Sequence, residues 1–302
     1  MANVEVSIPK GMRDFTPEVM AKRNYIFDTI RRTFHAYGYQ PIETPAMENL
    51  STLLGKYGEE GDKLLFRVLN SGDFLHGLEG EDILSLRREE LASRLCDRGM
   101  RYDLTVPFAR YVVQHHGELV FPFKRYQMQP VWRADRPQKG RYREFTQCDV
   151  DIIGSNALLN EEELIEIVED VFASLGLRVT LHVNNRKLLA AMAETLGADD
   201  RVVDLTVAID KLEKVGFEGV SEELGGKGFS QSQIARLQEM VAVEGDNAAR
   251  LDAIASAAQG APSAESGVAE MRRLLELTKL AGIRMPIKLD LSLARGLNYY
   301  TG

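Results

Sequence analysis

Apolar positions at helical spacing alternate along the chain with short stretches of period-two patterning. Met20, Ile26, Phe27, Ile30, Phe34 and Tyr37 mark one side of a helix that Thr16-Pro17 opens and Gly38 ends. Tyr39 to Glu48 reads as extended, because its two prolines disfavour helix around them. Lys63 to Leu69 predicts a strand, with Asn70-Ser71-Gly72-Asp73 as its turn. Residues 76–98 are polar and predict a loop with a short helix. Met100 to Thr105 predicts a short extended piece, and Val106 to Gln114 a helix. A further helix is expected from Asn160, with Glu163 at the capping-box position and Gly176 as its end. Its apolar face is Leu164, Ile167, Val168, Val171, Phe172 and Leu175. Arg178 to Val183 predicts a strand.

Residues 186–265 change character. They are rich in Ala, Leu, Glu and Lys at helical spacing, with breaks at Gly197, Gly216, Gly225-Gly226 and Gly245. Ala257 to Gly267 reads as a linker, Val268 to Ala281 as a last helix and Ile287 to Ala294 as a strand. Strands and helices follow one another without regular βαβ alternation. That predicts an α+β fold, an antiparallel sheet flanked by helices with an inserted helical subdomain. The expected division is a core over 1–185, a helical insertion over 186–265 and a return to the core over 266–302.

The most informative stretch runs from Phe123 to Gly154. Two strands flank the turn Arg136-Pro137-Gln138-Lys139-Gly140. Between Lys124 and Arg143 stand seven cations and one acid, Asp135, a local charge of +6 inside a chain of net charge −8. Arg133, Arg141 and Arg143 could aim several guanidiniums at one polyphosphate, whose oxygens match the guanidinium fork. A solvated, salt-bridged hairpin is the plainer alternative. Gln147, Asp149 and Asp151 alternate on one strand face, and Asp103 and Thr105 are expected to do the same on another. Small polar residues two apart on a central strand are costly unless they bind something. An amine or imidazole ligand suits them, and pairing with local arginines is the alternative. Arg295, Tyr299 and Tyr300 follow an apolar strand, where an arginine could stabilise transition-state charge or simply end the strand.

Composition narrows the classes. Hydrophobic content of 44% and charged content of 27% describe a globular chain. No apolar run approaches a membrane span, and the first residues lack the apolar region of a secretory signal. Cys96 and Cys148 are too few for a disulfide framework and suit the cytoplasm. The acidic balance confines any polyanion contact to a local patch. The adjacent His115 and His116 point about 100° apart on a helix, a poor pair of metal ligands, and no metal is expected. Neither GxxxxGK[ST] nor GxGxxG after a strand is present.

Five spaced motifs, KGMRDFTP, PIETPAME, MRYDLT, WRADRPQKGRYREFTQCDVDIIG and LARGLNYYTG, resemble histidyl-tRNA synthetases in that order along nearly the whole chain. The resemblance implies a class II synthetase core and a homodimer with the segment around Pro45 at its interface. It implies ATP, with Mg2+, as substrate for activating histidine to histidyl-adenylate, then transfer to tRNA(His). By residue, it implies that Arg133 holds the α-phosphate, Arg141 the distal phosphates, and Phe145 stacks on adenine. Asp103, Thr105 and Gln147 would take the α-amino group of histidine. Asp151 and Tyr300 would take the imidazole, with Tyr299 beside them. Arg295 would bridge the carboxylate and the α-phosphate, and Arg136 and Gln138 would meet the tRNA acceptor end. Trp132, Asp135 and Asn298 depart from the usual pattern. Family members continue with a third motif and an anticodon-binding domain. The chain is therefore expected to be a catalytic part, inactive by itself. The rival expectations are a non-catalytic synthetase-like regulatory subunit of histidine biosynthesis and a plain RNA-binding module.

Overall fold

A computed structural model describes residues 6–56, 62–76, 78–80 and 83–294. The chain divides into two compact units, Met1–Ser155 and Asn156–Gly302.

In the first unit, helix α1 (Pro17–Ala36) leads to strands β1 (Gln40–Pro41) and β2 (Met47–Asn49) and helix α2 (Leu50–Leu53). Strand β3 (Arg67–Val68), helix α3 (Arg88–Leu95), strand β4 (Arg98–Met100) and helix α4 (Thr105–Gln114) follow. The unit ends in the long strands β5 (Phe123–Trp132) and β6 (Glu144–Ile153). These pair antiparallel from Phe123↔Ile153 to Trp132↔Glu144. β1 joins β5 in parallel, and β2, β4 and β3 form a separate antiparallel sheet. The expected antiparallel hairpin is present, and the parallel β1–β5 pairing makes its sheet mixed.

Alternation gives the hairpin two distinct faces. One carries Tyr126 and Thr146 towards α1: the Tyr126 ring lies 5.3 Å from Phe34, its hydroxyl is 2.8 Å from His35 Nε2, and Arg23 Nη2 donates to Thr146 Oγ1. The buried row of α1 is Thr29, Thr33 and Phe34, whereas Ile26, expected on the buried side, faces solvent. Both threonine hydroxyls donate back to carbonyls one turn earlier, so they enter the interior satisfied. The other face of the hairpin carries Arg125, Gln127, Gln129 and Val131 opposite Asp151, Asp149, Gln147 and Phe145.

Arg101, 1% exposed, ties this unit together. It donates to the carbonyls of Thr44, Pro45 and Pro130 and to Gln129 Oε1, locking the extended segment before β2 onto β5. Arg110 pairs with the buried Glu48. Phe108 and Val112 of α4 pack on Phe123.

Two expectations are corrected here. The strand over 63–69 shortens to Arg67–Val68. The extended piece over 100–105 stops at Met100, because Asp103 Oδ1 accepts from the Val106 amide and starts the helix at Thr105. Asp103 and Thr105 therefore share a helix entrance, not a strand face.

The second unit is mostly helical: α5 (Leu159–Ser174), α6 (Arg186–Thr195), α7 (Val202–Ile209), α8 (Leu212–Gly226), α9 (Gln231–Val241), α10 (Asn247–Ala257) and α11 (Pro262–Leu280). Strands β7 (Leu181–Val183) and β8 (Ile287–Leu289) pair in parallel. One core joins Ile165, Leu188, Met192, Leu205, Leu237 and Leu251 with Leu289 and Leu291. Ser230 and Gln233 form a full capping box on α9. The box expected at Asn160 is absent, since Leu158 occupies the N-cap of α5. The expected linker is helical from Pro262, a residue pre-set for the first turn. The expected strand over 178–183 is confined to Leu181–Val183. The last strand ends at Leu289, where Asp290 turns the chain by accepting from the amide and hydroxyl of Ser292.

Candidate active site

The site face of the hairpin concentrates charge where little water reaches. Arg125 is wholly buried on β5, directly opposite Asp151 on β6. Its Nη2 lies 2.6 Å from Asp151 Oδ2, its Nη1 donates to Gln127 Oε1, and its guanidinium carbon sits 4.1 Å from the Phe108 ring centroid. Gln127 in turn donates to Thr44 Oγ1 and Gln129 Oε1. One row of side chains thus runs from the ion pair to the segment that Arg101 anchors.

Three carboxylates belong to this cluster. Burial raises Asp103 to about 6, against the lowering effects of the Val106 amide, Arg133 and Arg125. Burial likewise raises Asp149 to about 6, with Arg125 opposing it and Asp151 and Asp103 adding to it. Asp151 is also raised by burial and held down by Arg125. Three acids around the buried Arg125 and the half-buried Arg133 leave an excess of negative charge suited to a cationic group.

Arg133 follows β5 and marks the opposite end of the face. Its Nε donates to the Tyr102 carbonyl, and its guanidinium lies 5.1 Å from the Phe145 ring centroid. Phe145 and Gln147 are half-buried on β6, and Gln147 Oε1 is buried without a hydrogen-bond partner among the described residues. Thr105 is half-buried at the start of α4. Asp103, Thr105, Gln147, Asp151, Arg133 and Phe145 therefore all sit on the hairpin's site face or at the helix entrance beside it.

The loop residues behave differently. Arg136, Gln138 and Arg141 are exposed, with Gln138 and Arg141 joined in a backbone bridge around Gly140, whose φ of 82° suits the tight turn. Arg141 pairs with Asp135 at 2.9 Å. Arg143 is held back: its amide donates to the Gly11 carbonyl and its Nε to the Asp135 carbonyl. Arg295, Tyr299 and Tyr300 lie outside the described residues. Among the described residues no group of three or more His, Cys, Asp or Glu is placed to hold a metal. No helix among them is long and apolar enough to cross a membrane.

Sequence reasoning gave Arg125, Gln127 and Arg101 no part in the site. The signal for the first two was available, since Arg125, Gln127 and Gln129 alternate as Gln147, Asp149 and Asp151 do. Arg101 carries no such pattern, and its burial follows from tertiary contacts alone.

Helices around a mixed sheet, with arginines and carboxylates displayed on a long antiparallel hairpin, define the α+β fold of class II synthetases. A crystal structure of histidyl-tRNA synthetase from Nostoc sp. PCC 7120 matches with a TM-score of 0.81 at 29% identity, covering 99% of this chain and 64% of that one. A Bacillus halodurans structure described as an ATP phosphoribosyltransferase regulatory subunit/histidyl-tRNA synthetase shares the fold, with a TM-score of 0.78 at 23% identity over 98% of this chain and 70% of its own. The family model for histidyl-tRNA synthetase matches residues 11–78 and 96–302. Histidine–tRNA ligases of Phocaeicola vulgatus and Bacteroides fragilis are each 57% identical over 295 residues, 98% of this chain. The chain belongs to the histidyl-tRNA synthetase family. It spans 65% of the length of those two relatives.

Proposed function

We propose that this chain carries the catalytic face of a histidine–tRNA ligase. A histidine carboxylate oxygen attacks the α-phosphorus of ATP, the bond to the bridging oxygen breaks and pyrophosphate leaves. A ribose hydroxyl at the tRNA(His) 3′ end then attacks the carbonyl carbon, and AMP departs. ATP enters with its Mg2+ as substrate. Two anions must meet in the first step, so cations are needed where the charge gathers.

Arg133 serves the α-phosphate and Phe145 stacks on adenine. Arg141 exchanges its exposed pairing with Asp135 for the distal phosphates, an inexpensive exchange because surface ion pairs are worth only about 0–1 kcal/mol. Asp103, Thr105 and Gln147 receive the α-amino group. Asp151, with Tyr299 and Tyr300, receives the imidazole. Arg295 spans carboxylate and α-phosphate, and Arg136 and Gln138 meet the acceptor end. Residues 186–265 act as a helical insertion. The working form is a cytoplasmic homodimer with the Pro45 segment at its interface.

The observation that carries this reading is the shared face. A phosphate-suited arginine beside an aromatic ring stands at one end, and a buried carboxylate cluster suited to an ammonium and an imidazole at the other. A regulatory subunit is not favoured, because the relatives at 46–57% identity are ligases and the likeness to the Bacillus halodurans structure is one of fold. The test is charging of tRNA(His) with radiolabelled histidine by the full-length protein. Histidyl-tRNA formation that needs ATP supports the reading, and its absence in correctly folded protein refutes it.

A further inference from the structure

We propose that Arg125 is a positioning residue that sets histidine recognition by clamping Asp151 as an ionised, oriented acceptor for an imidazole N–H. The inference rests on the proposed function, because it assigns Asp151 the imidazole.

The geometry is specific. Arg125 is 0% exposed, so it meets bulk solvent nowhere, whereas the Asp151 side chain keeps about a third of its surface open. The two residues are register partners across β5 and β6, and the 2.6 Å approach engages a single carboxylate oxygen, Oδ2. Oδ2 itself is buried, and neither it nor Nη2 makes a hydrogen bond among the described residues, so the contact is an ion pair rather than a directional hydrogen bond. The accessible part of Asp151 is therefore the part that Arg125 does not hold. On its other sides Arg125 donates from Nη1 to Gln127 Oε1 and packs on the Phe108 ring.

Burying a guanidinium is costly, and a stability role alone explains it poorly: well-packed apolar pairs replace buried ion pairs at little or no loss. Charge supplies the functional reason. The groups facing Asp151 are Arg125 on β5, Asp149 on its own strand and Asp103 before α4, while Arg133 after β5 acts on Asp103 and Asp149. With both arginines the cluster carries three acids against two cations. Without Arg125 it carries three against one, in a buried setting that favours protonation. A protonated Asp151 can no longer make the charge-assisted hydrogen bond to an imidazole N–H, which is roughly twice as strong as a neutral one. The three acids interact, so the acid limb of histidine binding belongs to the cluster, and Arg125 holds that limb at low pH.

The test is histidine-dependent ATP–pyrophosphate exchange across pH, with wild-type, R125M and R125K full-length protein. The expected result for R125M is an acid limb of the histidine KM displaced upward by about one pH unit, which raises KM roughly tenfold within that window. The ATP KM and the kcat well above the limb are expected to change far less, and R125K to restore most of the wild-type limb. If R125M does not fold, R125Q serves in its place with the same expected displacement. A purely structural role would lower kcat and weaken both substrates at every pH without moving the limb, and that outcome overturns the proposal. A wild-type protein with no histidine-dependent exchange overturns the proposed function instead, and this inference falls with it.

Discussion

Arg125 and Asp151 face each other across the two longest strands of the structure, with Nη2 and Oδ2 2.6 Å apart and the arginine wholly buried. Breaking a buried pair from one side strands the remaining charge. R125M or D151N alone is expected to cost about 3 kcal/mol, the low end for a buried pair, because Asp151 is partly hydrated. The double variant is expected to cost clearly less than the sum. Denaturant unfolding of the two single variants and the double variant checks this, and additive losses would deny the coupling.

Asp103 and Asp149 make an unusual contribution to stability. Both are raised to about 6 in the folded protein against an ordinary 3.8, so the native state takes up protons before the unfolded chain does. The contribution of these groups therefore becomes more favourable as pH falls from above 6 towards 4. At pH 8 the neutral isostere D149N is expected to be more stable than wild type, by at most about 3 kcal/mol for a shift near two units. The gain is expected to shrink by pH 5. Thermal unfolding at the two pH values decides it, and a D149N that is less stable at pH 8 would count against the buried-acid cluster.

Histidine binding should show the same protonation with the opposite sign. An ammonium ion needs ionised Asp103, which is lost as pH falls through about 6. The histidine KM is expected to rise below that pH by up to about tenfold per unit for one protonation, with a smaller change for ATP. A histidine KM flat from pH 8 to 5 would remove Asp103 from the amino-group site.

Arg101 is expected to matter through architecture. R101A leaves the carbonyls of Thr44, Pro45 and Pro130 without this donor. Thr44 is the buried residue among the three, and an unpaired buried polar group costs about 1–3 kcal/mol, so a loss of that size is expected. Unfolding midpoints measure it, and a loss under 1 kcal/mol would mean that the 44–45 segment is held by other contacts.

Gly11 links the N-terminal segment to the hairpin. Its φ is 88°, and an added Cβ would stand 2.9 Å from both Arg143 Cγ and Pro137 Cγ. G11A is expected to cost roughly 1–3 kcal/mol through backbone strain and to raise the ATP KM by displacing the loop that carries Arg141. Stability and ATP KM unchanged in G11A would show that the segment does not brace the hairpin.

Much of this was legible in the sequence for a physical reason. Period-two patterning forces residues onto fixed faces, so the sequence alone puts Gln147, Asp149 and Asp151 together. The class of fold and the family could be read from five motifs. What escaped was set by contacts distant in sequence. The Asp103 side chain captures the Val106 amide and turns an expected strand into a helix start. The burial of Arg125 depends on Phe108, seventeen positions earlier and on another element, and that of Arg101 on carbonyls more than fifty residues away. Burial of polar α1 positions escaped because Thr29 and Thr33 satisfy their own hydroxyls within the helix.

The central claim, that one face of the β5–β6 hairpin brings ATP and histidine together, is tested most directly by ATP–pyrophosphate exchange in the full-length protein. The measurement compares histidine with the other amino acids and wild type with R133A. The prediction is exchange that depends on histidine alone and falls by about 10²–10³ in R133A. Exchange supported equally by other amino acids, or an R133A protein as active as wild type, would contradict it.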